Sequence, residues 1–263
     1  MPVDAWTSAD PYEFFMGRWS RVLAREVVAY LAPAAERRWL DVGCGTGALS
    51  EAIVRLTNPR SLIGVDPSEA YVAQARAHIT DERASFHVGD ATHLPVNDAA
   101  VDEVVAGLSL NFVADPVASV VEMRRVLTSG GRATAYVWDY ADGMQMLRLF
   151  WDAAIAENPS VASMDEGARF PLCQQGALSR CFTTAGITEV TRGEIEIRTL
   201  FQNFDDFWDP VLGQQGPAPS YVSSLTDDER FRLRERLRTV LPLGPGGSID
   251  LRARAWVCQG LAS

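Results

Sequence analysis

Lysine is absent from the 263 residues, and all 24 basic side chains are arginine. That excludes a phosphate-loop lysine, a Schiff-base lysine and the tyrosine/lysine pair of many reductases. Basic charge of any kind is scarce: the net charge is −10, which repels a phosphate backbone, and no basic run offsets it, so nucleic acid is not expected as a partner. The four cysteines, Cys44, Cys173, Cys181 and Cys258, have no CxxC spacing. They suggest neither a zinc site nor a disulfide framework and are expected to be buried thiols. Only three histidines occur, His78, His87 and His93. No apolar stretch is long enough to span a bilayer, and MPVDAWTSADPYEFF has no basic n-region or apolar h-region, so a cytoplasmic protein without membrane insertion is expected. Aromatics are thin from Leu40 to Gly130, where only Tyr71, Phe86 and Phe112 stand.

What is present has a regular rhythm. A first helix is predicted from Tyr12 to Leu31, where Phe15, Trp19, Val22 and Leu23 recur at helical spacing and Pro33 closes the pattern. From Arg37 short apolar runs (RRWLDVG, SLIGVD, ASFHVGD, VDEVVAGL, RATAYVWD) alternate with helical or loop patterns at Thr46 to Leu56, Ser68 to Ile79 and Pro116 to Thr128, with Gly130-Gly131 read as a stop. This is the signature of βαβ units with right-handed crossovers. Later, TEVTRGEIEIRTLF and GSIDLRARAWV alternate as a half-exposed antiparallel pair should. The expected fold is α/β: a Rossmann-like, doubly wound, seven-stranded, mostly parallel sheet with an antiparallel last pair and a helical cap. The expected division is a lid helix over 1–35, a ligand-binding core over 36–140, and completion of the sheet over 141–263, with cap insertions at about 141–172 and 202–246. Within the second insertion Thr226 to Glu229 reads as a capping box and GQQGPAP as the most flexible link.

The first strand ends in DVGCGTG, which turns into a helix and brings backbone close to whatever binds there. Gly43, Gly45 and Ala48 satisfy the dinucleotide pattern, so an NAD(P)-dependent oxidoreductase is one alternative. Asp41 argues against it, because its charge would repel a pyrophosphate and suits an ammonium group, and no lysine is available for the usual hydride-transfer chemistry. Asp66 ends the second strand about twenty residues later, where a carboxylate can accept both hydrogen bonds of a ribose diol. Asp90 ends the third and can accept from an exocyclic amine. An amino-acid end, a ribose and an amino-purine together describe S-adenosylmethionine.

DVGCGTG, GVDPS, GDATHLP, VDEVVAGLSLNFVADP and RRVLTSGG, in this order, resemble the class I S-adenosylmethionine-dependent methyltransferases, particularly the group that includes the ubiquinone/menaquinone enzymes. The resemblance covers roughly residues 10–140; its motifs specify the cofactor and are nearly silent on the acceptor. It implies that Asp41, Gly43, Gly45, Thr46 and Gly47 contact the methionine moiety and Asp66 the ribose. It implies further that Pro67 covers a face of the adenine, Asp90 and Ala91 meet its edge, and Gly107 and Leu108 offer backbone near the sulfonium. Tyr12 and Arg18 become candidates to close over the cofactor carboxylate. His93, Asp139 and Tyr140 are candidate acid/base or orienting groups. Phe15, Trp19, Asn111, Trp138 and Trp208 are candidates for a pocket for a small, apolar or aromatic acceptor. The expected reaction is in-line methyl transfer to oxygen, nitrogen or carbon by a monomer or homodimer. A non-catalytic S-adenosylmethionine-binding protein is the alternative from another class.

Overall fold

A computed structural model describes residues 13–213 and 216–263. The chain divides into two compact units. One, the sheet unit, comprises Ser20–Val137, Gln175–Ile195 and Ala255–Ser263. The other, the aromatic unit, collects the described N-terminal residues up to Trp19 with Trp138–Gln174 and Glu196–Arg254.

The sheet has seven strands: β1 (Arg38–Val42), β2 (Ser61–Asp66), β3 (Ala84–Val88), β4 (Val101–Gly107), β5 (Leu127–Trp138), β6 (Thr188–Phe201) and β7 (Ile249–Leu261), in the order β3-β2-β1-β4-β5-β7-β6. β1 pairs in parallel with β2 and β4, β2 with β3, and β4 with β5, while β7 runs against its neighbours. Reversal of the order between β2 and β4 around β1 opens a crevice at the carboxyl ends of these strands, the usual place for a ligand in a doubly wound sheet. The central strands are buried on both faces, as the continuous apolar runs require, and β7 alternates buried and exposed residues.

Helices α1 (Arg18–Leu31), α2 (Ala48–Thr57), α3 (Glu69–His78) and α4 (Pro116–Val126) form at the expected places, and α5 (Ala177–Thr184) precedes β6. Local chemistry sets their starts. Ser68 caps α3 by accepting from Tyr71 N, and Asp115 caps α4 by accepting from Ala118 N, with Pro116 in the first turn where it loses no hydrogen bond. A cluster of Cys44, Val72, Ala75, Ile79 and Phe86 seals α3 onto this end of the sheet. At the amino ends of β1 and β4, Arg38 pairs with Asp102 (2.7 Å) and Arg132 with Glu103 (2.8 Å).

One expectation is corrected. Gly130-Gly131 does not stop the chain: β5 begins at Leu127, and Gly130 N donates to Ala262 O at 2.8 Å while Ala262 N donates to Gly131 O at 2.9 Å. Gly130 has φ +74° and the β4–β5 register shifts nearby, so a bulge glycine stands where a terminator was read. Of GQQGPAP, Gln214 and Gln215 lie outside the described residues and the expectation for the link is untested, while Pro217 opens a helix over Pro217–Ser224; prolines in a first turn lack only N–H groups that have no helical partner. The capping box is present, Thr226 Oγ1 accepting from Glu229 N and the Glu229 carboxylate from Thr226 N.

Candidate functional site: the carboxyl edge of the sheet

The glycine loop is folded back on β2. Gly43 N and Cys44 N both donate to Val65 O, at 2.7 and 3.0 Å. Gly43 has φ +72°, and a Cβ there would lie 2.3 Å from Ser109 Cβ, so this glycine is demanded by the chain leaving β4. Ser109 fixes the same junction by donating Oγ to Val42 O at 2.8 Å. Gly45 differs. Its φ of +53° favours glycine, yet nothing lies within 4 Å of where its Cβ would be. The loop therefore presents bare backbone to open space at Gly45, the surface that a closely approaching ligand needs.

Two carboxylates lie beneath that surface. Asp66, buried at 7% exposure, accepts from Gly45 N through Oδ2 and from Ser68 N through Oδ1, both at 2.9 Å. It thus ties the loop to the start of α3, and each oxygen keeps a second lone pair for a ligand hydroxyl. Burial pushes its carboxyl upward against those two N–H bonds. Asp41 is 1% exposed and accepts from Ser50 Oγ at 2.7 Å. Burial raises it to about 7, the Ser50 bond opposes the rise, and the charge on Asp66 adds to it. Neither carboxylate has a cationic partner among the described residues. Asp41 is also enclosed, beneath the loop and not at its surface. Thr46 is likewise buried.

The third strand tip is open. Asp90 is exposed, and its Oδ1 accepts from both Thr92 N and Thr92 Oγ1 at 2.7 Å, which lowers its pKa. Oδ2 has no partner among the described residues. Pro67 is exposed and Ala91 half-buried. At the end of β4 a Cβ on Gly107 would sit 2.4 Å from the Tyr136 hydroxyl, and Leu108 holds φ +57° while donating its N–H to Tyr136 O at 2.8 Å. Left-handed backbone at a non-glycine residue is strained and is characteristic of sites held for function. Asn111 is half-buried in the turn that follows, its Nδ2 enclosed without a hydrogen-bond partner.

Asp41, the glycines, Thr46, Asp66, Pro67, Asp90, Ala91, Gly107, Leu108 and Asn111 all belong to the sheet unit. The remaining candidates divide differently. His93 is exposed in the Asp90 turn, its N–H donating to Asp90 O at 3.0 Å. Asp139 belongs to the aromatic unit, is 2% exposed, and accepts from Arg254 Nη2 at 2.6 Å, Arg254 Nε at 2.9 Å and Asp142 N at 3.2 Å. A carboxylate so occupied anchors structure, which corrects its candidacy as a base. Tyr140 is buried beside Phe170, ring centroids 5.7 Å apart. Arg18 was expected to clamp a ligand carboxylate. Instead its Nη1 pairs with Asp206 at 2.8 Å, and its guanidinium lies 4.5 Å from the Trp19 ring and 4.8 Å from the Phe201 ring. Phe15, Trp19, Trp138 and Trp208 are all buried in the aromatic unit, where Trp19 meets Phe201 edge-on and Trp208 stacks on Phe204. Tyr12 lies outside the described residues. Sequence reasoning missed Ser109, whose partner Val42 is distant in the chain, and Ser50, whose partner Asp41 lies on a different element nine residues earlier.

A family model described as "Methyltransferase domain" matches residues 40–135, the span from β1 into β5. The chain is 34% identical over 132 residues to the Uncharacterized methyltransferase Rv3342 of Mycobacterium tuberculosis, covering 50% of each protein. It is 35% identical over 103 residues to a demethylmenaquinone methyltransferase of Clavibacter sepedonicus, covering 39% of this chain and 41% of the relative. The chain thus spans about half the length, or less, of these relatives. Among solved structures, the YcgJ protein of Bacillus subtilis superposes with TM-score 0.57 at 19% identity, over 93% of this chain and 98% of that one. A Haemonchus contortus phosphoethanolamine N-methyltransferase, in complex with S-adenosyl-L-methionine, gives TM-score 0.58 at 14% identity over 96% of this chain and 56% of its own. Strand order, the glycine loop with Asp66 at the neighbouring tip and the matched span converge on residues 40–135 as a methyltransferase domain, in a chain whose fold is similar to that of solved methyltransferases.

Proposed function

We propose that the protein binds S-adenosylmethionine at the carboxyl edge of its sheet and transfers the methyl group to a small, apolar or aromatic acceptor. The observation that carries this reading is the pair Asp41 and Asp66: two desolvated carboxylates under an open glycine loop, with no protein cation to offset them. An ammonium-bearing, sulfonium-bearing ligand supplies the missing positive charge, whereas a pyrophosphate worsens the repulsion. The residues present fit the group. Asp66 retains lone pairs for two ribose hydroxyls, Asp90 Oδ2 and the Ala91 backbone suit the amino edge of a purine, and the exposed Pro67 offers a flat apolar face. Gly45 and Thr46 would hold the methionine end, with Gly107 and Leu108 backbone near the sulfonium.

When bound, the cofactor supplies an activated methyl on a good leaving group. The protein's part is then to align the acceptor and exclude water. That task needs no dedicated base when the acceptor is intrinsically nucleophilic. His93 and Tyr140 remain the candidates where it is not. The named activity of the demethylmenaquinone methyltransferases, which share the segment carrying the motifs, makes quinones and phenols the first acceptors to try.

The test is calorimetric titration of S-adenosylmethionine and S-adenosylhomocysteine into the wild type and Asp66→Ala, followed by turnover with quinones, phenols and amines read as S-adenosylhomocysteine release. Tight binding weakened at least ~10-fold in the variant is expected, since it loses hydrogen bonds to a charged acceptor and the brace on Gly45. Equal affinity in the variant would remove the ribose assignment. Binding without turnover on any acceptor would favour a non-catalytic binding protein.

A further inference from the structure

A cavity of about 240 Å³ lies at the far edge of the sheet unit, between the first turn of α5 and strands β6 and β7. Four strand spacings separate β6 from β1 in the sheet order, on the order of 20 Å at about 4.8 Å per spacing, so it is distinct from the glycine-loop site. Its walls are of two kinds. Leu178, Trp256 and Val257 give it an apolar side, and Arg192 and Glu194 a charged one.

Beside the charged side, at the lining residue Gly176, Arg180 comes close from outside the wall itself. Nη1 of Arg180 and Nη1 of Arg192 lie 3.3 and 3.5 Å from the point where a Cβ on Gly176 would stand. Two guanidinium groups thus converge on one glycine, and neither has a hydrogen bond or ion pair to any described residue. Elsewhere in the unit several arginines are matched to carboxylates, among them Arg38 to Asp102, Arg125 to Glu122 and Asp98, and Arg132 to Glu103. Like charges brought together without a counter-ion favour an anion between them. Glu194 on the same wall disfavours a dianion. The volume is below the roughly 300–1,000 Å³ of pockets for drug-sized ligands, which restricts the occupant to a small molecule.

We propose that this cavity binds a small monocarboxylate with a flat apolar body, its carboxylate held by Arg180 and Arg192 and its body resting on Trp256 and Leu178. The site is independent of the methyl-transfer reading.

The experiment is calorimetric titration of the full chain at low ionic strength with phenylacetate as the probe and inorganic phosphate as the comparison, on the wild type, Arg192→Gln and Arg180→Gln. Both arginines are exposed, so the variants are expected to melt like the wild type and to bind S-adenosylhomocysteine as the wild type does. Saturable phenylacetate binding, weakened at least ~10-fold in each variant as expected for a lost charge-assisted pair, supports the proposal. Absence of saturable heat, unchanged affinity in Arg192→Gln, or phosphate binding as tightly as phenylacetate overturns it.

Discussion

The sheet unit and the aromatic unit differ in where arginines meet their buried carboxylates. In the aromatic unit arginines answer two of them, Asp139 by Arg254 and Asp165 by Arg148 at 2.7 Å, while Glu166 accepts from the neutral indole N–H of Trp151. In the sheet unit arginines answer carboxylates at the amino ends of the strands, where Arg38 keeps Asp102 down to about 2 and Arg132 bonds Glu103. At the carboxyl ends Asp41 and Asp66 have no cation. An unanswered buried charge is costly and persists where something outside the chain completes it. An arginine partner therefore distinguishes Asp139 from Asp41 where exposure does not, since the two are about equally buried, at 2% and 1%.

The largest expected effect tests the structural half of that contrast. Arg254→Leu strands the Asp139 carboxylate and should cost about 3–5 kcal/mol in urea unfolding; a loss under ~1 kcal/mol would show that Asp139 is not held by its charge partner. Next come the two loop glycines. Gly43→Ala forces a methyl into Ser109 at positive φ and should cost about 2–5 kcal/mol, combining overpacking and backbone strain. Gly45→Ala meets no atom and should cost only about 1–2 kcal/mol, while abolishing tight nucleoside binding. Equal destabilisation by the two substitutions would erase the distinction between a packing glycine and a ligand-facing one.

The smallest effect concerns Asp41. Its native pKa of about 7 lies above the ordinary 3.8, so across that window the native state binds more protons than the unfolded chain. Stability from this group is greatest below the ordinary value, declines as pH rises toward about 7, and is level above. Asp41→Asn keeps an acceptor for Ser50 and removes the slope. Its Tm should overtake the wild type's between about pH 5 and pH 8, by about 2–4 °C for each kcal/mol, while its affinity for the cationic cofactor falls. A constant Tm difference across that range would show that Asp41 does not titrate there.

Much of the sheet unit is legible in the sequence because its signals are local. Strand and helix limits from β1 to α4 follow from apolar runs, Asp115-Pro116 and the glycine loop, each readable within a few residues. The aromatic unit is less so. Arg18 meets Asp206 across 188 positions, and nothing near YEFFMGRWSR announces that pairing, so an arginine suited to a ligand carboxylate turned out to serve its own unit. Asp41 was legible as an acidic residue beside the loop; its enclosure was not, because Ser50 reaches it only once α2 has docked on β1. Gly130 shows the reverse failure, a local signal with two meanings, since a glycine at positive φ either ends a helix or bends a strand.

Asp66 grips the amides of Gly45 and Ser68 with its two oxygens. The loop and the start of α3 are thereby latched through one side chain, and their opening motions are shared. In hydrogen–deuterium exchange these two amide protons should slow together when nucleoside occupies the crevice and quicken together when the latch is removed, making them a paired reporter of occupancy far from any reacting atom.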